Sequence, residues 1–347
     1  MLIYKRMLSL DGNFACVYTD EDIILYYTSF SCQDGYAVIF QNKTYLFVDK
    51  RYYYSAVTKA KANVILLDGN ALFEFLKANN VKTVGIAYPF TSVDFYQTLI
   101  GNDYKVIDVT SEYNKQSAVK TQTQLEKIIK AQEIAEKSFI ETLSYIKVGL
   151  TEKQISAYLE YRFKVNGADG VSFEPIIAFN ENSSVPHHQT GSATLKHNSI
   201  ILMDFGCKVD GYCSDMTRMV AFGDVSSEFK NVYDAVLNAH LVAFKSVTCG
   251  MTGIEADAIS RNYLKENGLD KYFTHSLGHG VGVKIHESPR LSIKSSDVLV
   301  DGNVFSIEPG VYIDGKFGVR IEDTVYLKNG KCVSTNTISK ELFTVKP

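Results

Sequence analysis

Apolar and polar positions along the chain fall into two regimes. From residue 1 to about 115, the runs DIILYYTSF, YAVIF and TYLFV read as strand-like, ALFEFLKANN as a helix, and KTVGIAYP and YKVIDVT as further strands. Strand-like runs alternating with helical ones predict an α/β domain. The polar stretch SEYNKQSAVKTQTQ breaks this pattern and marks a boundary, which divides the chain into 1–117 and 118–347.

Beyond the boundary, Thr121 to Gln124 and Thr151 to Gln154 each have T-x-x-Q spacing. In such a capping box the hydroxyl and the amide side chain satisfy orphan N–H groups, so two helices are predicted to start there. The first carries Leu125, Ile128, Ile129, Ala135, Phe139, Leu143 and Ile146 at three- and four-residue steps, a stripe that reads as core. The second runs through YLEYRF to Gly167, a residue suited to the positive φ of a helix C-terminus. Strands follow at SFEPIIAF, SIILMDFGC, YCSDMTRMV, NVFSIEPGVYI and GVRIEDTVYL, with helical segments around 228 to 248 and 254 to 267. No internal repeat or low-complexity tract interrupts this α+β half.

Two hairpins carry acids. In ILMDFGCKVDGYCSDMTR the pair Asp210-Gly211 is a strong two-residue turn signal. With that loop Val209 pairs with Tyr212 and Asp204 with Thr217, which leaves Asp204 and Asp215 diagonal neighbours on one face, roughly 7–8 Å apart between the two backbones. Carboxylates on strands are often simply solvated. Here their neighbours Ile201, Leu202, Met203, Phe205 and Met216 are apolar, and buried acids need a partner or a cation. In NVFSIEPGVYIDGKFGVRIEDT, Glu308 and Glu322 lie an even number of residues apart, so they converge on one face only if the turn at Asp314-Gly315 has an odd length or the hairpin carries a bulge. The odd geometry is predicted, with Pro309-Gly310 making the strand locally irregular.

Three of the seven histidines, His275, His279 and His286, fall within THSLGHGVGVKIHESP. Gly278, Gly280 and Gly282 allow close backbone approach around them. A lone buried histidine is usually a hydrogen-bonded core residue, but a cluster beside four acids points to metal, with His279 as the ligand. His187-His188 in NSSVPHHQTG sit in a turn-rich loop that by itself reads as surface, and His197 and His240 read as ordinary surface or helix residues.

Composition narrows the partners. Lys+Arg 36 against Asp+Glu 39 leaves a net charge of -3, without the basic excess of a nucleic-acid binder. The six cysteines form no C-x-x-C, which argues against a disulfide framework or a thiolate zinc site. The start MLIYKRMLSLDGNF has too short an apolar stretch for a signal peptide, and no run reaches membrane length, so a cytoplasmic protein is expected.

HSLGHGVGVKIHE resembles the signature of the prolidase and Xaa-Pro aminopeptidase family, and MDFG, GYCSDMTR, IEPG and RIEDT resemble its remaining motifs in order. The match is strong over about 120 to 347. The first domain resembles the family's creatinase-like N-terminal domain through ILYYTSF and VDKRYYYSA. The resemblance implies an α/β creatinase-like domain followed by an α+β pita-bread catalytic domain, in a homodimer. It further implies two divalent ions, Mn as the usual choice and Co, Fe or Zn as options, bridged by Asp215 and Glu322 and completed by Asp204, His279 and Glu308. His187 would bind the substrate carbonyl or shuttle protons, His286 would contact substrate or the developing oxyanion, and His275 and Arg320 would support the ligands. Glu308 would pass a proton from the attacking water to the leaving nitrogen. The implied activity is removal of an N-terminal residue before proline, with an Xaa-Pro dipeptidase or a non-catalytic peptide- or protein-binding module as alternatives on the same fold; the α/β N-terminal domain argues against a methionine aminopeptidase and the full ligand set against a creatine-type hydrolase. One departure is Phe179-Asn180, where family members often have Ser-Gly; asparagine tolerates the left-handed backbone such a turn needs.

Overall fold

The computed structural model describes residues 13–346, so most of the N-terminal stretch judged against a signal peptide lies outside the described residues. The chain divides into two compact units, Met1–Ser117 and Ala118–Pro347.

The first unit contains β1 (Phe14–Tyr18), α1 (Glu21–Thr28), β2 (Gly35–Phe40), β3 (Lys43–Val48), α2 (Lys50–Lys59), β4 (Asn63–Leu66), α3 (Ala71–Ala78), β5 (Thr83–Ile86), α4 (Val93–Gly101) and β6 (Lys105–Asp108). Its six strands form one mixed sheet in the order β4-β3-β2-β1-β5-β6. The DIILYYT run is a correction to the sequence reading, because it forms α1 rather than a strand. Asp20 caps the helix by accepting from Ile23 N, and Glu21 and Asp22 sit in the first turn, where the helix dipole favours acids. These local terms outweigh the β propensity of Ile23, Ile24, Tyr26 and Tyr27. The polar stretch at the boundary is itself partly helical, as α5 (Thr110–Ala118).

The second unit opens with α6 (Gln122–Leu143) and α7 (Glu152–Val165), both started by the expected capping boxes. Gly167 ends α7 with φ +102°. The buried face of α6 includes Ile128, Ala135 and Phe139, but Leu125, Ile129 and Leu143 are only half buried and Gln132 and Glu136 are fully inside. The Glu136 carboxylate accepts from the backbone N–H and the hydroxyl of Thr337, which explains a charge on that face.

The strands that follow are β7 (Gly170–Val171), β8 (Ile176–Phe179), β9 (Ser199–Phe205), β10 (Cys207–Val209), β11 (Tyr212–Cys213) and β12 (Met216–Phe222). After helices α8 (Ser227–Ser246) and α9 (Gly253–Glu266) come β13 (Gly278–Gly280), β14 (Glu287–Leu291), β15 (Val304–Ile307), β16 (Gly310–Ile313), β17 (Phe317–Arg320), β18 (Glu322–Lys328), β19 (Lys331–Ser334) and β20 (Phe343–Val345). A nine-stranded sheet runs β14-β13-β15-β18-β12-β9-β8, with β19 beside β18 and β20 beside β12. Two cores hold it. Ile201, Met203, Phe205, Met216 and Val220 pack with α6 and α7 residues such as Phe139 and Leu159. Phe305, Ile307, Val325 and Leu327 pack with Val236, Ala243 and Leu264 of α8 and α9. Every residue of β9 and β12 is buried, so the two central strands read as apolar runs in which any charge must be satisfied internally.

Candidate active site and metal centre

The hairpin around Asp210-Gly211 has the register read from the sequence. Asp210 and Gly211 have φ +48° and +76°, Val209 pairs with Tyr212, and Asp204 pairs with Thr217. Thr217 also pairs with Glu322 on its other side, so Asp204, Thr217 and Glu322 stand in one row across β9, β12 and β18. Asp215 lies two residues before Thr217, in the gap between β11 and β12. Gly206 sits opposite that gap, and a Cβ there would collide with the Ser214 carbonyl.

The second hairpin has a three-residue loop. Ile313 pairs with Phe317, and the same register continues to Ile307 with Asp323, which sets Glu308 opposite Glu322. This is the odd length that the parity of the two glutamates requires. Pro309 interrupts the ladder there, and the hairpin tip β16–β17 leaves the large sheet as a separate pair.

His279 comes from β13, where a Cβ on Gly278 would clash with the Ser306 carbonyl and one on Gly280 with that of Ser288. Only glycine permits both approaches. His279 Nδ1 lies 3.2 Å from the Gly280 carbonyl and so carries the proton, which leaves a lone pair on Nε2. That lone pair faces carboxylate oxygens, Glu308 Oε1 at 3.3 Å and Asp215 Oδ2 at 3.6 Å.

A hydrogen-bonded chain supports this cluster. Arg320 donates through Nη2 to Asp204 Oδ2, through Nε to Thr217 Oγ1 at 3.1 Å and through Nη1 to the Tyr312 hydroxyl at 2.7 Å. Thr217 in turn donates to Glu322 Oε2 at 2.7 Å. Because Tyr312 accepts from Arg320, its own proton goes to His275 Nε2 at 2.8 Å, and His275 Nδ1–H donates to the Ser276 carbonyl. Burial holds the His275 imidazole neutral, down to about 3, with Arg320 adding to the effect.

These groups line one cavity of about 430 Å³ that contains His187, Asp204, Asp215, His275, His279, His286, Glu308, Arg320 and Glu322. All nine residues singled out in the sequence therefore meet in space. Phe173, Ile176, Pro186 and Ile285 add an apolar wall. Asp204, Asp215, Glu322 and Arg320 are buried, whereas His187, His286 and Arg290 are exposed at its open side.

The donor set fits divalent cations. Ligand atoms of Asp215, His279 and Glu322 all lie within 4.8 Å of one another, and Asp204 Oδ1 is buried without a hydrogen-bond partner. Burial, then the neighbouring Asp204 and Glu308, push Asp215 well above the carboxylate range; burial, then Asp215, does the same to Glu322. Burial likewise raises Glu308 to about 8, against the pull of Arg320. His279 is lowered to about 3 by burial and by His286. A single guanidinium does not neutralise four carboxylates, and a neutral imidazole lone pair directed at two of them asks for a cation between.

Several contributors escaped the sequence reading. Thr217 and Tyr312 act through hydroxyls whose partners are remote in the chain, and the Ser306 hydroxyl links Glu308, two residues on, to the remote backbone N–H of His279. Asp257 and Arg261 of α9 hold the loop of His275, accepting from Leu277 N and donating to the His275 carbonyl. No local signal marks them. Arg290 follows the histidine motif closely enough to have been noticed as a nearby charge. Asn180 adopts φ +47°, the left-handed backbone expected there.

Comparison with known proteins agrees with this geometry. The model of metallopeptidase family M24 matches residues 126–329, and that of the creatinase/prolidase N-terminal domain matches 9–119. The chain is 35% identical over 309 residues to an Xaa-Pro dipeptidase of Pyrococcus furiosus, 87% of each protein. It superimposes with TM-score 0.91 on an X-Pro aminopeptidase from Thermotoga maritima, at 33% identity over 98% of this chain and 100% of the other. An Xaa-Pro dipeptidase from Bacillus anthracis gives TM-score 0.93 at 30% identity over 99% of both. The architecture is thus a creatinase-like α/β domain followed by an α+β pita-bread domain.

Proposed function

This chain belongs to metallopeptidase family M24, and from that premise we propose that it hydrolyses the bond between an N-terminal residue and a following proline. The observation that carries the proposal is the convergence of four carboxylates and one imidazole lone pair in a cavity whose open side bears two further imidazoles. We assign Asp215, Glu322, Asp204, His279 and Glu308 as the residues that would hold two divalent ions, Asp215 and Glu322 serving both, with Mn(II) as the metal. When bound, the ions would polarise the scissile carbonyl and acidify a water.

The remaining work falls to the chain's own groups. Ser306 donates to Glu308 Oε1 at 3.1 Å, which leaves Oε2 to take the proton of the attacking water and deliver it to the leaving nitrogen. That delivery matters because the proline nitrogen is a tertiary amide with no proton of its own. His187 and His286, the exposed imidazoles, hydrogen-bond the carbonyl oxygen as it gains charge. Arg320 holds Asp204 directly and Glu322 through Thr217, so the carboxylates keep their orientation.

A dipeptidase is the second reading, and Arg290 favours it. Its guanidinium makes no ion pair among the described residues and lines the same cavity, where a free C-terminal carboxylate would neutralise it. The test is hydrolysis of Xaa-Pro dipeptides beside Xaa-Pro-Yaa tripeptides after chelation and Mn(II) readdition. Asp215→Ala and Glu322→Ala are each expected to abolish turnover and bound metal together. Undiminished hydrolysis after exhaustive EDTA treatment, or wild-type metal content in either variant, refutes the assignment.

A further inference from the structure

The loop that carries His187 has its anchor outside the cavity. The His187 imidazole makes no hydrogen bond among the described residues, so its position is set by the backbone of the segment between β8 and β9. The fully buried carboxylate of Glu152, at the first position of α7, grips that segment on both sides of His187. Oε1 accepts from Phe179 N at 2.9 Å and from Asn182 Nδ2 at 2.8 Å. Oε2 accepts from His188 Nε2 and from Gly191 N, both at 2.8 Å.

We infer that Glu152 is a positioning residue for the reaction, fixing through this four-donor clasp the loop that presents His187 to substrate. The inference rests on the role proposed above for His187. An ionised carboxylate is the side chain that suits the clasp, because all four partners donate and it alone offers acceptors on both oxygens without a donor of its own. The same polarity requires a proton on His188 Nε2, which turns the second histidine of the pair into a structural donor and leaves the first for substrate. Glu152 makes no hydrogen bond or ion pair with Asp204, Asp215, His279, Glu308 or Glu322, so loosening the clasp should leave metal binding intact.

Glu152→Gln keeps the volume but sets an NH2 group against two donors. With Ala-Pro as substrate and the Mn(II)-loaded enzyme, kcat/KM is expected to fall on the order of 10²-fold, the cost of misplacing a catalytic group by about 1 Å. Mn(II) content should match wild type, and amide hydrogen exchange over 180–191 should accelerate. In a His187→Ala background the same substitution should cost nothing more, since both changes remove one contribution. Asn182→Ala, which removes a single arm, should show a smaller loss of the same kind. Wild-type kinetics and exchange in Glu152→Gln, or a full additive loss in the His187→Ala background, overturns the inference. A His187→Ala enzyme with unchanged kcat/KM instead overturns the role of His187, and is recognised without any Glu152 variant.

Discussion

The carboxylate cluster makes the metal-free protein sensitive to rising pH in a window set by its own groups. Glu308 is raised to about 8 by burial, against an ordinary value near 4.5; burial with Asp204 and Glu308 raises Asp215, and burial with Asp215 raises Glu322. A carboxyl whose folded pKa exceeds its unfolded one stabilises the fold below the unfolded value, and that stability is lost as pH climbs through the folded value. Buried histidines act oppositely: His275 and His279 are lowered to about 3 and His240 to about 4, so their influence fades above pH 6.5 as the unfolded chain gives up its protons. Between pH 6.5 and 8 each of them adds back only about 0.4 kcal/mol, so the three raised carboxyls set the sign. Each retained proton corresponds to a slope of about 1.4 kcal/mol per pH unit, so Glu308 by itself accounts for roughly 2 kcal/mol across the window. Urea unfolding in EDTA, followed by far-UV circular dichroism and by the fluorescence of the 22 tyrosines in a chain without tryptophan, should show stability falling from pH 6.5 to 8 in the transition that Mn(II) shifts. Saturating Mn(II) should reverse the slope, because ligands bind it deprotonated and release protons on loading. Glu308→Gln should remove about one proton's share. Stability in EDTA that stays level or rises across this window refutes the reasoning.

Two further outcomes follow from single side chains. His240 is fully buried with neither ring nitrogen bonded, and its depressed pKa means that acid protonates the unfolded chain first; between pH 6.5 and 4 this removes roughly 3 kcal/mol of stability. His240→Leu should blunt that loss in urea midpoints compared at pH 7 and 4.5, and an unchanged acid sensitivity counts against the assignment. Arg290→Met should raise KM for Xaa-Pro dipeptides about tenfold or more, as expected for loss of a charged hydrogen bond, and leave Xaa-Pro-Yaa tripeptides little altered; equal effects on both would remove the support for a dipeptidase.

The features legible in the chain before it folds are local or set by parity. Capping boxes at Thr121 and Thr151, the Asp210-Gly211 turn and the even spacing of Glu308 and Glu322 follow from short-range rules, and together they bring the acids of each hairpin to a common face. Where two local rules compete, as in DIILYYT, the pattern alone does not show that the Asp20 cap defeats β propensity. Which side chains support the site depends on contacts that exist only once the sheet and helices have packed. Thr217, Tyr312, Glu152 and Asp257 are ordinary residues in the chain, and each gains its role from a partner brought near by the sheet or by a helix packed against it. The physical reason is reach: a turn or a cap is settled within a few residues, whereas a buried hydrogen bond is settled by whichever donor the fold delivers to that acceptor.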